Sequence, residues 1–398
     1  MTARGLDRRG LIAASGGIGL AAGAAGATLW HGATSTLTQP AGVVEGQNYS
    51  PHGSHQAGIV TPAPAVTQLF AFDLLPATGA DGLRRLLRIW SQDIAALMAG
   101  EPAPGDVVPE LAQAGCSLSI TVGFGRRVFR LTGLTGKEPD GFIDVPAMGH
   151  DRLQPRWCGG DVVVLIAADD PTSVAFARRR LVVDAETFAK PRWVQTGSWR
   201  GKDAEGRAIT GRNLFGQVDG TGNPPAAEHD RVVWLHDAPW VGGTTLVVRR
   251  IQMNLDVWDT LTRERQERVI GRTLANGAPL GGVHETDPLD LQATADGHLV
   301  VAANAHARLS HRSVNHDRQI LRRGLNYTHE EAVDGVLTAS AGLIFLSFQA
   351  SIADQFVPIQ QRLDAGDALN EWTTAIGSAV FAVPGGFGPD SWLAASLF

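Results

Sequence analysis

The strongest constraint on this chain is a repeated change of hydrophobic period. Leu83, Leu86, Leu87, Trp90, Ile94, Leu97 and Met98 recur at helical spacing and keep one face apolar until Gly100, which ends the run. Either side of them the pattern is that of strands. Thr67 to Leu74 precedes the helix, and Cys116 to Val122 follows it with the alternation of a half-buried strand. Val162 to Ala167 is apolar throughout, and Arg192 to Gln195 makes a further short strand. The second half is organised in the same manner, with strands at Thr244–Ile251, Leu343–Phe348 and Ala379–Val383 and helices at Asp256–Leu274 and Asp354–Leu363. Strand-helix-strand units of this kind predict an α+β fold with sheets covered by helices on one face.

Two such units, dividing near residue 225, make a ferredoxin-like pair, although the halves are too dissimilar in sequence to establish a repeat. With 398 residues, 44% of them hydrophobic, the chain has ample material for two cores or one large one. A formal charge of −6 argues against nucleic acid as a partner, since phosphate binding needs a basic surface. The two cysteines, Cys116 and Cys158, cannot build a zinc site or a disulfide framework by themselves; a single bridge and two free thiols both remain open.

The N-terminus suggests export. Arg8 and Arg9 precede a weakly apolar stretch, Ala13 to Trp30, that is too poor in Leu, Ile and Val for a membrane helix. An arginine pair ahead of a mild apolar segment reads as a twin-arginine signal, with removal between Ala25 and Gly42. Residues 1–57 are then signal and linker, 58–225 an N-terminal domain and 226–398 a C-terminal one. No later segment resembles a spanning helix, so a mature form without a stable membrane anchor is expected, in the periplasm or secreted.

Two stretches carry the chemistry. In Asn213-Leu214-Phe215-Gly216-Gln217-Val218-Asp219-Gly220-Thr221-Gly222-Asn223-Pro224, two glycines bracket one aspartate and the tail forces a loop. Taken alone this is an ordinary Asp-Gly turn. The second comprises His306-Ala307-Arg308-Leu309 and Ile320-Leu321-Arg322-Arg323-Gly324-Leu325-Asn326-Tyr327. A lone histidine is more often structural than a ligand, and arginine pairs are usually solvated. His-Glu-x-x-His, Gly-x-Ser-x-Gly and phosphate-loop patterns are all missing, so a serine hydrolase has no motif behind it.

Together these pieces resemble the dye-decolorising peroxidases, in particular the twin-arginine-exported branch. The matching series runs in order over nearly the whole mature chain. Besides the two stretches above it includes Gly242-Gly243-Thr244 leading into Leu246–Ile251, Gly277-Ala278-Pro279-Leu280-Gly281 and Gln355–Gln360. The segment between His306 and Arg322 is shorter and richer in histidine than usual.

The resemblance implies two ferredoxin-like domains of the dimeric α/β-barrel type, with antiparallel sheets enclosing one haem b. His306 is then the iron ligand, its other ring nitrogen held by an acid, for which Asp287, Asp290 and Asp296 are candidates. Asp219 is the proton carrier for peroxide, competent at acidic pH where an imidazole would be protonated. Arg322 stabilises the charge that develops as the O–O bond breaks. Gly216, Gly220, Thr221, Leu343 and Phe345 are expected against the cofactor, and Arg308, in preference to Arg312, at its propionates. The implied activity is reduction of hydrogen peroxide through a ferryl intermediate, with one-electron oxidation of small organic donors such as dyes or phenols. Deferrochelatase-like removal of iron from haem, or non-enzymatic haem or iron binding, are the alternatives. The export machinery and a homo-oligomer are further expected partners. Trp157, Trp199, Trp240 and Trp392, with Tyr49 and Tyr327, are the aromatics considered as electron relays, although simple packing accounts for each.

Overall fold

A computed structural model describes residues 47–333 and 336–398. Arg8, Arg9 and the Ala25–Gly42 stretch lie outside the described residues. In chain order the main elements of the first half are β1 (Val66–Leu74), α1 (Gly79–Ala99), β2 (Ser119–Phe124), β3 (Val162–Ala168), α2 (Pro171–Ala185) and β4 (Ala189–Ser198). Those of the second are β5 (Thr244–Met253), α3 (Arg263–Ile270), α4 (His306–Ser310), β6 (Leu321–Val333), β7 (Val336–Gln349), α5 (Val357–Gly366) and β8 (Thr373–Val383).

Each half lays out its four strands in the same way. Around the sheet the order is β4-β1-β3-β2 and then β8-β5-β7-β6, every pairing antiparallel. Fourth, first, third, second, with helical crossovers after the first and third strands, is the ferredoxin-like arrangement. The two sheets close into one barrel through two short seams, Phe124 against Ala382 and Ser198 against Asn326.

The outer face of the first half is a hydrophobic layer. Phe70, Phe72, Ile120, Val122, Val164 and Ile166 pack against α1, whose Leu83, Leu86, Leu87 and Trp90 are fully buried. The predicted helix is therefore present with the predicted face inward. It stops at Gly100, φ 77°, where an added Cβ would lie 2.4–2.6 Å from Ala114. The second helix, α2, is an addition to the elements expected from hydrophobic period. Asp170 caps it by accepting from Thr172 N and Ser173 N, and Pro171 occupies its first turn.

Three expectations change. The strand read from Cys116 begins at Ser119 and is buried at every residue, because one face meets the barrel interior and the other the helices. The single helix read over Asp256–Leu274 is broken into Leu255–Trp258 and α3, with Thr262 capping the second piece through Arg265 N. The helix read from Asp354 opens with a π-turn, Ile352–Phe356. Pro358 has no N–H for the carbonyl of Asp354, which instead accepts from Arg318 Nε at 2.7 Å. Cys116 and Cys158 are both free thiols. Among the described residues no helix is long and apolar enough to cross a membrane.

Candidate active site

Strand alternation decides what β6 offers to each side. Arg322, Gly324 and Asn326 lie opposite Ser347, Phe345 and Leu343 of β7, so all six share the outer face of the second half. Arg323 and Leu325 point the other way, into the barrel. Part of this outer face is covered by the helical segment 352–366, a π-turn continuing into α5, whose Phe356 ring lies 6.4 Å from that of Phe345. Around Arg322 the covering elements are the loop 211–223 and the five-residue α4.

The loop is built to present its acid. Asn213 N donates to Gln217 O (3.1 Å), Gly216 N to Asn213 O (2.9 Å) and Asp219 N to Gly211 O (2.9 Å). Gly216 has φ 78° and Gly220 φ 140°, so both glycines are demanded by backbone conformation. The Asp219 carboxylate accepts from Arg322 Nη1 at 3.2 Å and from Asn213 Nδ2 at 3.3 Å. Asn223, four residues on, grips the backbone of the same arginine: Arg322 N donates to Asn223 Oδ1 and Asn223 Nδ2 to Arg322 O, both at 2.9 Å. Acid and arginine come from segments about a hundred residues apart and are locked together at two levels, side chain and backbone.

His306 opens α4. Its Nδ1 meets Asp367 Oδ2 at 2.5 Å, and Asp367, 3% exposed, also accepts from Leu369 N at 2.9 Å. Burial disfavours the imidazolium, but the charge and hydrogen bond of Asp367 outweigh it and the pKa is raised; Arg322 works against this and Asp219 with it. His306, Arg322 and Asp219 therefore lie within electrostatic reach of one another. With Nδ1 occupied, Nε2 is the nitrogen left to bind, and it has no protein partner among the described residues. The three side chains keep 29%, 25% and 19% of their surface accessible, although buried elements surround them. An imidazole fixed by a buried carboxylate, with its second nitrogen bare, is the donor set of a histidine-ligated haem iron.

Asp287, Asp290 and Asp296 are not the partners of His306. Asp287 accepts from Val283 N and His284 N, Asp290 from Gln292 N and Ala293 N, and Asp296 sits at φ 51° in a tight hairpin turn. The true acceptor lies 61 residues downstream of the histidine, at the end of α5, where no local signal marks it. Thr221 spends its hydroxyl on Glu285 Oε1 (2.9 Å). Arg308 donates through Nε and Nη2 to the carbonyls of Leu291, Val301 and Ala302, so it braces the loop before α4 and keeps only Nη1 unspent. Arg312 is paired with Glu228 and Asp317. Leu343 is buried and Phe345 half-buried on the Arg322 face, as the register requires. Sequence reasoning misses the roles of Asn213 and Asn223; their place in the Asp219 loop is the one available hint. Trp199 and Trp240 are buried, whereas Trp157 and Trp392 carry arginine guanidinium groups over their rings.

Comparison with known proteins agrees with this geometry. The family model described as Dyp-type peroxidase, N-terminal, matches residues 56–198, and that described as Dyp-type peroxidase, C-terminal, matches residues 210–387. The dye-decolorizing peroxidase of Thermobifida fusca is 37% identical, over 96% of this chain and 95% of its own. The deferrochelatase of Escherichia coli K12 is 33% identical, over 84% and 83%. Among solved structures, a DyP-type peroxidase from Cellulomonas bogoriensis aligns with TM-score 0.83 and 43% identity, covering 89% of this chain and 98% of that one. The oxyferrous/water mixed complex of DtpA from Streptomyces lividans aligns with TM-score 0.85 and 38% identity, covering 90% and 100%. With both halves matched over most of its length, the chain belongs to the Dyp-type peroxidase family.

Proposed function

We propose that His306 would hold the haem iron of this peroxidase and that Asp219 and Arg322 would act on hydrogen peroxide beside it. The protein is a haem peroxidase, acting on hydrogen peroxide and organic donors. The observation that carries the residue assignment is the Asp219–Arg322 contact at 3.2 Å, doubly fixed by Asn223 and within electrostatic reach of His306. Bound haem supplies the redox-active iron; the chain's residues supply the rest. His306 offers Nε2 while Asp367 orients the ring and strengthens its donation. Asp219 would be the proton carrier for hydrogen peroxide, its carboxylate held in place by Arg322 and Asn213. Arg322, a permanent cation with fixed donors, stabilises the negative charge that develops as the O–O bond breaks. Leu343 and Phe345, on the same sheet face, would supply apolar surface beside Arg322. Arg322→Leu and Asp219→Ala are expected to retain haem, seen as an unchanged Soret band, and to lose peroxidase turnover; near wild-type turnover in either would remove it from the mechanism.

The deferrochelatase relatives support a second reading, release of iron from haem. Incubation with haem followed by pigment extraction separates the two, since free protoporphyrin appears only if iron is removed from an intact ring. We further propose export by the twin-arginine route, on the strength of Arg8-Arg9 and the mild apolar stretch after them, with the domain border near residue 225. Replacing both arginines by lysine should leave the protein in the cytoplasmic fraction.

A further inference from the structure

The segment between β2 and β3 belongs to the first half, but from Gly141 to Gln154 it lies on the second. There it touches β5, β8 and both ends of the helical segment 352–366. Ala353 N, in the π-turn ahead of α5, donates to Gly141 O at 3.0 Å. Gly141 has φ 68°, and a Cβ there would stand 2.1 Å from Ser351 Oγ, so the approach requires glycine. Arg152 N and Gln154 N donate to Ala375 O (2.9 Å) and Ile376 O (2.8 Å) of β8. Asp151 pairs with the buried Arg249 of β5, whose Nη1 donates to Oδ2 at 3.1 Å. The largest share of the grip falls on Asp364, in the last turn of α5. Its Oδ2 accepts from Gly149 N at 2.8 Å, and its Oδ1 accepts from His150 N and meets His150 Nδ1, both at 3.0 Å. Burial pushes the Asp364 carboxyl up, but these bonds outweigh it and hold the group below its ordinary value. The contacts are therefore charge-assisted.

Asp367 stands three residues further on, directly after the helix. Its N donates to Leu363 O at 2.9 Å, and its carboxylate holds His306 Nδ1. Ala368 N donates to Asn304 O at 3.0 Å, two residues before the histidine. The last turn of a helix has carbonyls without intrahelical partners and frays unless it is held from outside. Here Asn370 Nδ2 satisfies Leu363 O at 2.9 Å, and the side-chain anchor comes from the other half of the molecule. We infer that Asp364 is a positioning residue for the iron ligand: held by Gly149 and His150, it fixes the last turn of α5 and so the direction in which Asp367 presents its carboxylate to His306. The inference rests on His306 as the haem ligand. Donation of the Nδ1 proton to a carboxylate orients an imidazole ligand and raises its basicity. A change in the aim of Asp367 therefore alters the ligand while every residue that touches the cofactor stays the same. If Asp364 served only to close the turn at 149–152, its loss would lower stability and leave the imidazole as it was.

The test uses the holoenzyme reduced to the ferrous state, in which resonance Raman reads the iron–imidazole stretch. Asp364→Ala is expected to move that band to lower frequency and to speed haem transfer to apomyoglobin by about threefold to tenfold, less than the loss of Asp367 itself. Asp364→Asn, which keeps the shape but accepts at one atom only, should act in the same direction by less, and it serves should Asp364→Ala fail to fold. Trp90→Ala, destabilised at a distance, should leave the band in place. In the haem-free protein, amide exchange over residues 363–370 should quicken in Asp364→Ala. A lowered melting temperature with unchanged band and unchanged haem transfer would make Asp364 a loop clamp and overturn the inference. Persistence of the band in His306→Ala would remove the ligand reading and this inference with it, so the two failures are told apart.

Discussion

The two halves have the same strand order but cover their outer faces differently. On the first half, α1 with 21 residues and α2 with 15 seal the sheet with apolar side chains. On the second, the first crossover supplies only the eight-residue α3, the five-residue α4 and long loops, the second crossover supplies α5 behind its π-turn, and the sheet face between them carries Arg322. A long amphipathic helix makes a core; short helices and braced loops leave a slot whose walls are individually aimed. One topology thus serves as a support on one side and a reactive surface on the other.

The sharpest way to break the comparison is to remove a residue from each face. Arg322→Leu should lower kcat/KM by about a hundred- to a thousandfold with the melting temperature little changed. Trp90→Ala, which empties a fully buried site on the first half and frees the hydrogen bond of Nε1 to Leu181 O, should cost about 3–5 kcal/mol in denaturant unfolding while the folded fraction keeps its kcat. If Trp90→Ala altered kcat as much as stability, the division of labour between the halves would fail. Asp367→Ala should weaken haem retention by about ten- to a hundredfold, measured by transfer to apomyoglobin. Asn223→Ala, which removes both backbone contacts to Arg322, should lower kcat about tenfold at unchanged haem content.

The smallest effect concerns pH. Between α1 and α2, Arg180 bridges Asp93 (2.6 Å) and Asp184 (3.0 Å). Burial, and then the hydrogen bond and charge of Asp93, push the Asp184 carboxyl up to about 8. A raised carboxyl pKa means that the fold prefers the protonated form. Its contribution is complete below the ordinary value of 3.8 and is lost as pH rises through about 8. The melting temperature of the wild type should therefore fall between pH 5 and pH 9 more than that of Asp184→Asn. Parallel curves would show that this seal does not titrate.

How much of this is legible in the sequence follows the same division. The first half announces itself because α1 has helical period and its strands are apolar; α2 escapes because its arginines and exposed valine dilute the pattern. In the second half the strands from Thr244 and Leu343 are legible, but β6 shows only as a pair of arginines. Asp219, His306 and Arg322 stand out through an ordered series of motifs, and no spacing between them predicts that they meet. The partner of His306 cannot be found that way. Asp367 reaches it only after β6, β7 and α5 have folded back, and a single aspartate beyond a helix has no signature. Arg308, expected to face a ligand, is engaged by three carbonyls of the segment before α4, of which Ala302 O also accepts from Ala305 N at 3.1 Å.

The seams at Phe124–Ala382 and Ser198–Asn326 have a mechanical consequence. Within each half, neighbouring strands are joined along most of their length, whereas across each seam one residue pair carries the ladder. A pull or a thermal fluctuation would therefore open the ring along these two lines first. The halves would part like hinged shells with their own sheets intact, and the surface laid bare would be the apolar barrel interior that Leu69, Ala71 and Val163 of the first half share with Leu246, Val248 and Phe381 of the second.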